Sequence, residues 1–360
     1  MQMSLGENLR LTLYGSSHGP HVGAVLNGLP KGIVLDEKRL KKAMEMRKPG
    51  GPYSSQRKET DEVLWLSGFD GRITNGEAIE CRIKNNDARS KDYDFLPDHP
   101  RPGHQDMVMM LKTDGKADLR GGGTSSARMT APLVAMAALL RPWIASKGVD
   151  FRAHVGAIGS IEAKNLKEFP AIWSGEECEH MRCYDPVAAK AMTELITSLR
   201  KQKDSIGSRV DLVITGLPLG VGEPWFDGLE PALARAMMSI PAARGVEFGH
   251  GFNVQTMTGS EHNNPWGGTS ESPILEGEQP DGALAGLATG SPIHVQVAFK
   301  PPSSIPQTQM TLNVKTNKQE PLTVKGRHDP VLAPRAVAVV EAMAILVICD
   351  LMMRGGFMDE

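Results

Sequence analysis

The chain has 360 residues, 40% of them hydrophobic and 23% charged, with a formal net charge of −2. That size and apolar share allow a large buried core, and the near-neutral charge excludes a global pull toward nucleic acid or an anionic membrane. Only 5% of residues are aromatic, whereas 38 glycines and 25 prolines provide many turns where backbone can approach a ligand closely.

In chain order, strands are predicted at Leu9–Tyr14 and Val22–Leu26, then a short amphipathic helix over Glu37–Met46, then strands Val63–Leu66 and Ala78–Ile83. Residues 89–120 have little periodicity and read as an active-site loop. A long helix over Ser126–Lys147 is apolar on nearly all faces and should be buried, with Pro132 and Pro142 kinking or shortening it. Amphipathic helices follow at Pro186–Lys203 and Leu229–Met238, and strands at Val210–Ile214, Gly251–Met257, Ile293–Ala298 and Leu322–Lys325. Residues 263–282 form a second aperiodic segment, and Ala333–Met353 is another mostly apolar helix. Two such helices among short alternating strands predict an α+β fold, a helical layer between antiparallel sheets, built as one domain over residues 1–360.

No run reaches the roughly 18 apolar residues of a spanning helix, and the N-terminal stretch lacks a basic region followed by an apolar one. A soluble, cytoplasmic protein without membrane or nucleic-acid partners is expected. Of Cys81, Cys178, Cys183 and Cys349, only the middle pair are close, around His180. Their spacing is not CxxC and no second pair follows, so free thiols and no metal are expected.

Three clusters carry candidate chemistry. The first is Gly15-Ser16-Ser17-His18-Gly19, directly after a strand. A single histidine is more often a packing residue than a catalyst, but the flanking glycines present this one in a tight turn. The same five residues fit G-x-S-x-G, a hydrolase nucleophile elbow, although a strand rather than a helix follows. The second runs from His99 to Asp106 (HPRPGHQD) and from Leu119 to Arg128 (LRGGGTSSAR). Its glycine run opens the long helix, so free N–H groups, Ser125, Ser126, Arg101, Arg120 and Arg128 suit an anion; a flexible turn with a serine cap is the alternative. The third joins Lys300-Pro301-Pro302-Ser303-Ser304 to Arg327-His328-Asp329, which sets a cation beside two acid–base groups. A basic loop, Arg47-Lys48 with Arg57 and Lys58, adds positive charge. Together they point to a ligand carrying several negative groups.

In order and spacing these clusters resemble the chorismate synthase family over nearly the whole chain. GSSHG, NNDARSKDY (Asn85–Tyr93), RPGHQD, RGGGTSSAR, the region Gly216–Phe252, KPPSSI and GRHDPVLAPRAVAVVEAM carry the resemblance. It implies a lyase that eliminates phosphate from 5-enolpyruvylshikimate 3-phosphate, a small-molecule substrate, with reduced FMN as cofactor. It further implies a β-α-β sandwich and a homotetramer. The chain is shorter than members that reduce their own flavin with NADPH, so an external flavin reductase is expected. By resemblance His18 assists the leaving phosphate, His104 stabilises the reduced flavin, Asp329 takes part in removing the C6 proton, and Ser17 and Ser126 support the site. Thr124, Ser125, Ser126, Pro241, Ala242, Ala285, Lys300, Pro301, Pro302, Ser303, Ser304 and Arg327 match flavin-binding positions. Arg47, Lys48, Arg101 and Arg128 are expected to hold substrate anions. The chain departs from the family pattern at Ser16, Lys48, Pro52, Tyr53, Gln105, Thr124, Met129, Pro241 and Ala285. Two rivals are a serine hydrolase that binds no flavin and a flavin-binding protein that has lost catalysis.

Overall fold

Alternating burial builds two antiparallel sheets of five strands each. The first runs in the order Ser4–Leu5, Arg10–Gly15, His21–Asn27, Ile79–Lys84, Leu64–Ser67. The second runs Ala243–Phe248, Ile293–Phe299, Ser208–Thr215, Asp150–Ile158, Ile161–Glu162. In the strand Ser208–Thr215, Val210, Leu212 and Ile214 are buried while their neighbours are less so, the period of two expected when one face meets a core. These features come from a computed structural model, which describes residues 3–48, 60–86, 90–277, 281–326 and 328–358.

Between the sheets lie the helices Thr130–Ser146 and Ala333–Arg354, packed on each other. The first contacts the strands His21–Asn27 and Ile79–Lys84, the second Asp150–Ile158 and Ser208–Thr215, so each helix faces one sheet. The first is buried on every face over residues 130–140 and the second along nearly all its length, which explains why neither shows an amphipathic stripe. Glu37–Arg47 and Leu229–Ser239 flank them, and one continuous core joins both sheets to this layer. The expected α+β layering is therefore present.

Several expectations need correction. Ala127–Ser146 and Ala333–Arg354 are long and apolar enough to span a bilayer, against the reading that no run qualifies; 72% and 89% of their apolar windows are buried inside the protein. The long helix starts at Thr130 rather than Ser126, which leaves Pro132 in the first turn where its missing N–H costs nothing. Gly251–Thr256 is a 3-10 helix and not a strand. Its apolar residues are exposed, Phe252 at 77%, and the left-handed Gly249 and Gly251 bend the chain away from any neighbouring strand. The strands Asp150–Ile158, Ala243–Phe248 and Thr308–Asn313 were not foreseen. Within the aperiodic stretches lie a short helix, Asp106–Lys112, and a hairpin of Trp266–Gly268 with Pro273–Leu275.

Candidate active site

One cleft of about 250 Å³ gathers residues from all three clusters: Ser17 and His18, then Arg101, His104, Ser125, Ser126 and Arg128, then Pro302, Ser303, Ser304, His328 and Asp329. The turn carrying His18 connects two neighbouring strands of the first sheet and is pinned from three sides. Ser17 N–H donates to the Gly123 carbonyl at 3.1 Å. The Asn85 amide donates to the carbonyls of Ser16 and Gly19 at 2.9 and 2.8 Å. Tyr93 meets the His18 ring edge-on, 5.1 Å between centroids, and Ser17 Oγ shares a 3.2 Å hydrogen bond with His18 Nδ1. Gly121, at φ +64, runs close behind: a Cβ there would stand 2.6 Å from the imidazole. Glycine is required at this position for both conformation and space. Because a strand follows the turn, the arrangement is no nucleophile elbow.

His104 is fixed differently. Asp106 is fully buried and accepts from Arg101 Nε and Nη2, both at 2.7 Å, and it lies 2.7 Å from His104 Nδ1. That contact requires a proton on Nδ1, which leaves Nε2 for a ligand. Burial raises the Asp106 pKa, but the hydrogen bonds from Arg101 and His104 outweigh it and hold the carboxyl well below the usual range. Arg101 also donates to the Gly121 carbonyl at 2.8 Å, so its guanidinium is engaged behind His104. Arg120 is turned outward to Asp118 at 2.7 Å and does not line the cleft.

The glycine run does not open the long helix directly. Two 3-10 turns, Gly123–Ser125 and Ala127–Met129, intervene, and Ser126 Oγ caps the second by accepting from Arg128 N–H at 3.2 Å. Arg128 is buried; it donates from Nε to Asn85 Oδ1 at 2.8 Å and pairs with Asp61. Arg47 meets the other oxygen of Asp61 at 2.5 Å. Arg47 and Lys48 do not line the cleft, and residues 49–59 lie outside the described residues, as does Arg327. Asp329 accepts from Arg335 at 2.6 Å.

Lys300 and Ser303 clamp two loops together: Lys300 Nζ donates to the Gly103 carbonyl at 2.6 Å and to Ser303 Oγ at 2.8 Å. Lys300 N–H donates to the Ala242 carbonyl at 3.0 Å, which ties Pro241-Ala242 to the same loop. Beside the cleft, and sharing Ser125 and Ser126 with it, is a largely apolar cavity of about 390 Å³ that Thr124, Ile240 and Pro241 also line. Ala285, left-handed at φ +52 in a tight hairpin, lines neither cavity. Sequence reasoning missed Asp61, which precedes a strand with no local signal, and the roles of Asn85 and Tyr93 inside their motif.

The family model for chorismate synthase matches residues 9–353. The chain belongs to the chorismate synthase family. It is 41% identical over 355 residues to the chorismate synthase of Methanosarcina barkeri, covering 98% of this chain and 97% of that one. With the chorismate synthase of Aeropyrum pernix it shares 41% identity over 352 residues, 97% of this chain and 92% of that one. A solved structure, "Crystal Structure of Chorismate Synthase", superposes with a TM-score of 0.72 over 97% of this chain and 93% of that one; at 24% identity it supports the fold alone. Membership of the chorismate synthase family makes the chain a carbon–oxygen lyase acting on phosphate.

Proposed function

We propose that the chain converts 5-enolpyruvylshikimate 3-phosphate to chorismate by 1,4-anti elimination of the 3-phosphate and a C6 hydrogen, in the shikimate pathway, with reduced FMN bound beside the substrate. The observation that carries this reading is the meeting of His18, His104 and Asp329 with Arg128 in one cleft. An elimination needs an acid where the phosphate departs and a proton acceptor where the hydrogen leaves. His18, presented on its pinned turn, protonates or hydrogen-bonds the departing phosphate oxygen, and Arg128 holds substrate anions. The Asp329 carboxylate receives the C6 proton, with Arg335 fixing one of its oxygens. Arg101 acts through Asp106 and His104 rather than on substrate directly.

The residues fit the flavin. A polar cleft edged by Ser125, Ser126, Ser303 and Ser304 adjoins the apolar cavity lined by Thr124 and Pro241, which suits a ligand with an anionic tail and a flat apolar ring. Lys300 and Pro301 sit on the clamped loop beside Pro302, and Ala242 is tied to it by the Lys300 N–H. When bound, reduced FMN supplies an electron-rich ring next to the substrate; the net reaction needs no redox change. His104, its Nε2 left for a ligand, stabilises charge on that ring. The same reading carries a homotetramer, a cytoplasmic location, a single domain and dependence on an external flavin reductase, the first and last resting on resemblance.

The deciding experiment is anaerobic. Protein with dithionite-reduced FMN is mixed with 5-enolpyruvylshikimate 3-phosphate, and chorismate is followed by absorbance. Turnover that requires reduced flavin and falls about 100-fold or more in His18→Ala and His104→Ala is expected, the usual scale of general acid–base loss. Protein that binds reduced FMN yet forms no chorismate would leave a flavin-binding protein without catalysis.

A further inference from the structure

The two ends of the cleft are joined by one chain of bonds, and a buried carboxylate stands at its centre. Arg335 donates to Asp329 Oδ2 at 2.6 Å and to the Arg47 carbonyl at 3.3 Å. The Arg47 side chain meets Asp61 Oδ2 at 2.5 Å, and Asp61 Oδ1 accepts from Arg128. Arg128 then donates to Asn85, which holds the Ser16 and Gly19 carbonyls on either side of Ser17-His18. Arg47 and Asp61 are 2% and 0% exposed at the side chain, so this is a built feature rather than a surface pair. Asp61 adopts φ +50, a left-handed conformation that Asp tolerates better than most residues, and so aims both oxygens at the two guanidiniums. Among the described residues, the chain of bonds alternates guanidinium and carboxylate, with Asp61 shared between Arg47 and Arg128 and Asp329 paired with Arg335.

We propose that Asp61 is the positioning residue of this site: its carboxylate orients Arg128 toward the bound anion and sets the spacing between the His18 turn and Asp329. The proposal rests on the reading of the cleft given above. A carboxylate that merely neutralised charge would weaken anion binding, because it cancels positive charge beside the cleft. A positioning carboxylate strengthens binding in spite of its charge. The two roles therefore predict opposite signs for the same substitution.

The test uses inorganic phosphate and flavin-free protein, by titration calorimetry, comparing wild type with Asp61→Asn. Positioning predicts that phosphate binds about tenfold more weakly to Asp61→Asn although the variant has gained net positive charge. Tighter or unchanged binding by the folded variant overturns the proposal. Should Asp61→Asn not fold, Asn85→Ala carries the test, since it leaves both ion pairs intact and removes the Arg128–Asn85 bond together with the two bonds by which Asn85 holds the His18 turn. Weaker phosphate binding and a lower kcat are expected for it; wild-type values for both overturn the positioning chain. If wild type itself forms no chorismate, the proposed reaction fails while the phosphate measurement still judges Asp61.

Discussion

Asp106 shows how a residue that touches no ligand can decide what its neighbours do. Its carboxylate is fully buried and accepts from Arg101 while fixing the proton of His104 on Nδ1. Replacing it with asparagine leaves the Arg101 guanidinium, 3% exposed, without an ionised partner, a change of about 3–5 kcal/mol in buried pairs. Asp106→Asn is therefore expected to lower unfolding free energy in urea by that order at pH 7. The sign with pH follows from the depressed pKa. A carboxyl held below its unfolded value, about 3.9, contributes stability that is complete above that value and is lost as pH falls through the folded one. Below about pH 4 the wild-type and variant curves should converge. Parallel curves down to pH 2, by contrast, would show that the Asp106 charge contributes nothing.

At the scale of elements, the glycine–serine segment matters more than the helix it precedes. Sequence reasoning expected the long helix to present its own N-terminus to an anion; instead two 3-10 turns intervene and Ser126 supplies the cap that holds the Arg128 turn. Ser126→Ala is expected to cost about 1 kcal/mol of stability, the usual worth of such a cap, and to reduce kcat/KM as the Arg128 turn loosens. Equal kcat/KM in a variant of lower thermal stability would confine Ser126 to the fold. The same scale shows what was legible. Five helices were found to within a few residues because their periodicity or unbroken apolar character is local. The strand Asp150–Ile158 was not, because Arg152, His154 and three alanine or glycine positions hide its alternation and the partner that pairs along its length, Ser208–Thr215, lies far along the chain. His18, His104 and Ser126 could be read from their motifs. Asp61 could not, since its role exists only once residues 47, 61 and 128 meet.

Over the whole molecule, the continuous core makes one buried histidine an acid limit on the fold. His154 lies on the strand Asp150–Ile158 of the second sheet, fully buried, with Tyr184 N–H donating to Nδ1 at 3.4 Å and Nε2 without a partner among the described residues. Burial, reinforced by Arg209 and Arg152, pushes its pKa down to about 4. The unfolded chain, with an ordinary value of about 6.5, binds a proton that the folded chain refuses, so stability rises with pH across that interval and is fully present above it. The loss on acidification from about 6.5 to 4 reaches on the order of 3 kcal/mol, an upper bound at the low end. Because the strand bearing His154 packs directly on the helix Ala333–Arg354, that loss should appear as unfolding of the sheets and helical layer together rather than as fraying. Trp173, stacked on Tyr184 at 3.9 Å beside His154, gives a fluorescence signal at the spot, and far-ultraviolet circular dichroism follows the whole. Coincident transitions in urea, with a midpoint that drops between pH 6.5 and 4.5 in wild type and much less in His154→Leu, are expected. If both proteins lose the same stability over that interval, the acid limit lies with other groups and His154 is only a packing residue.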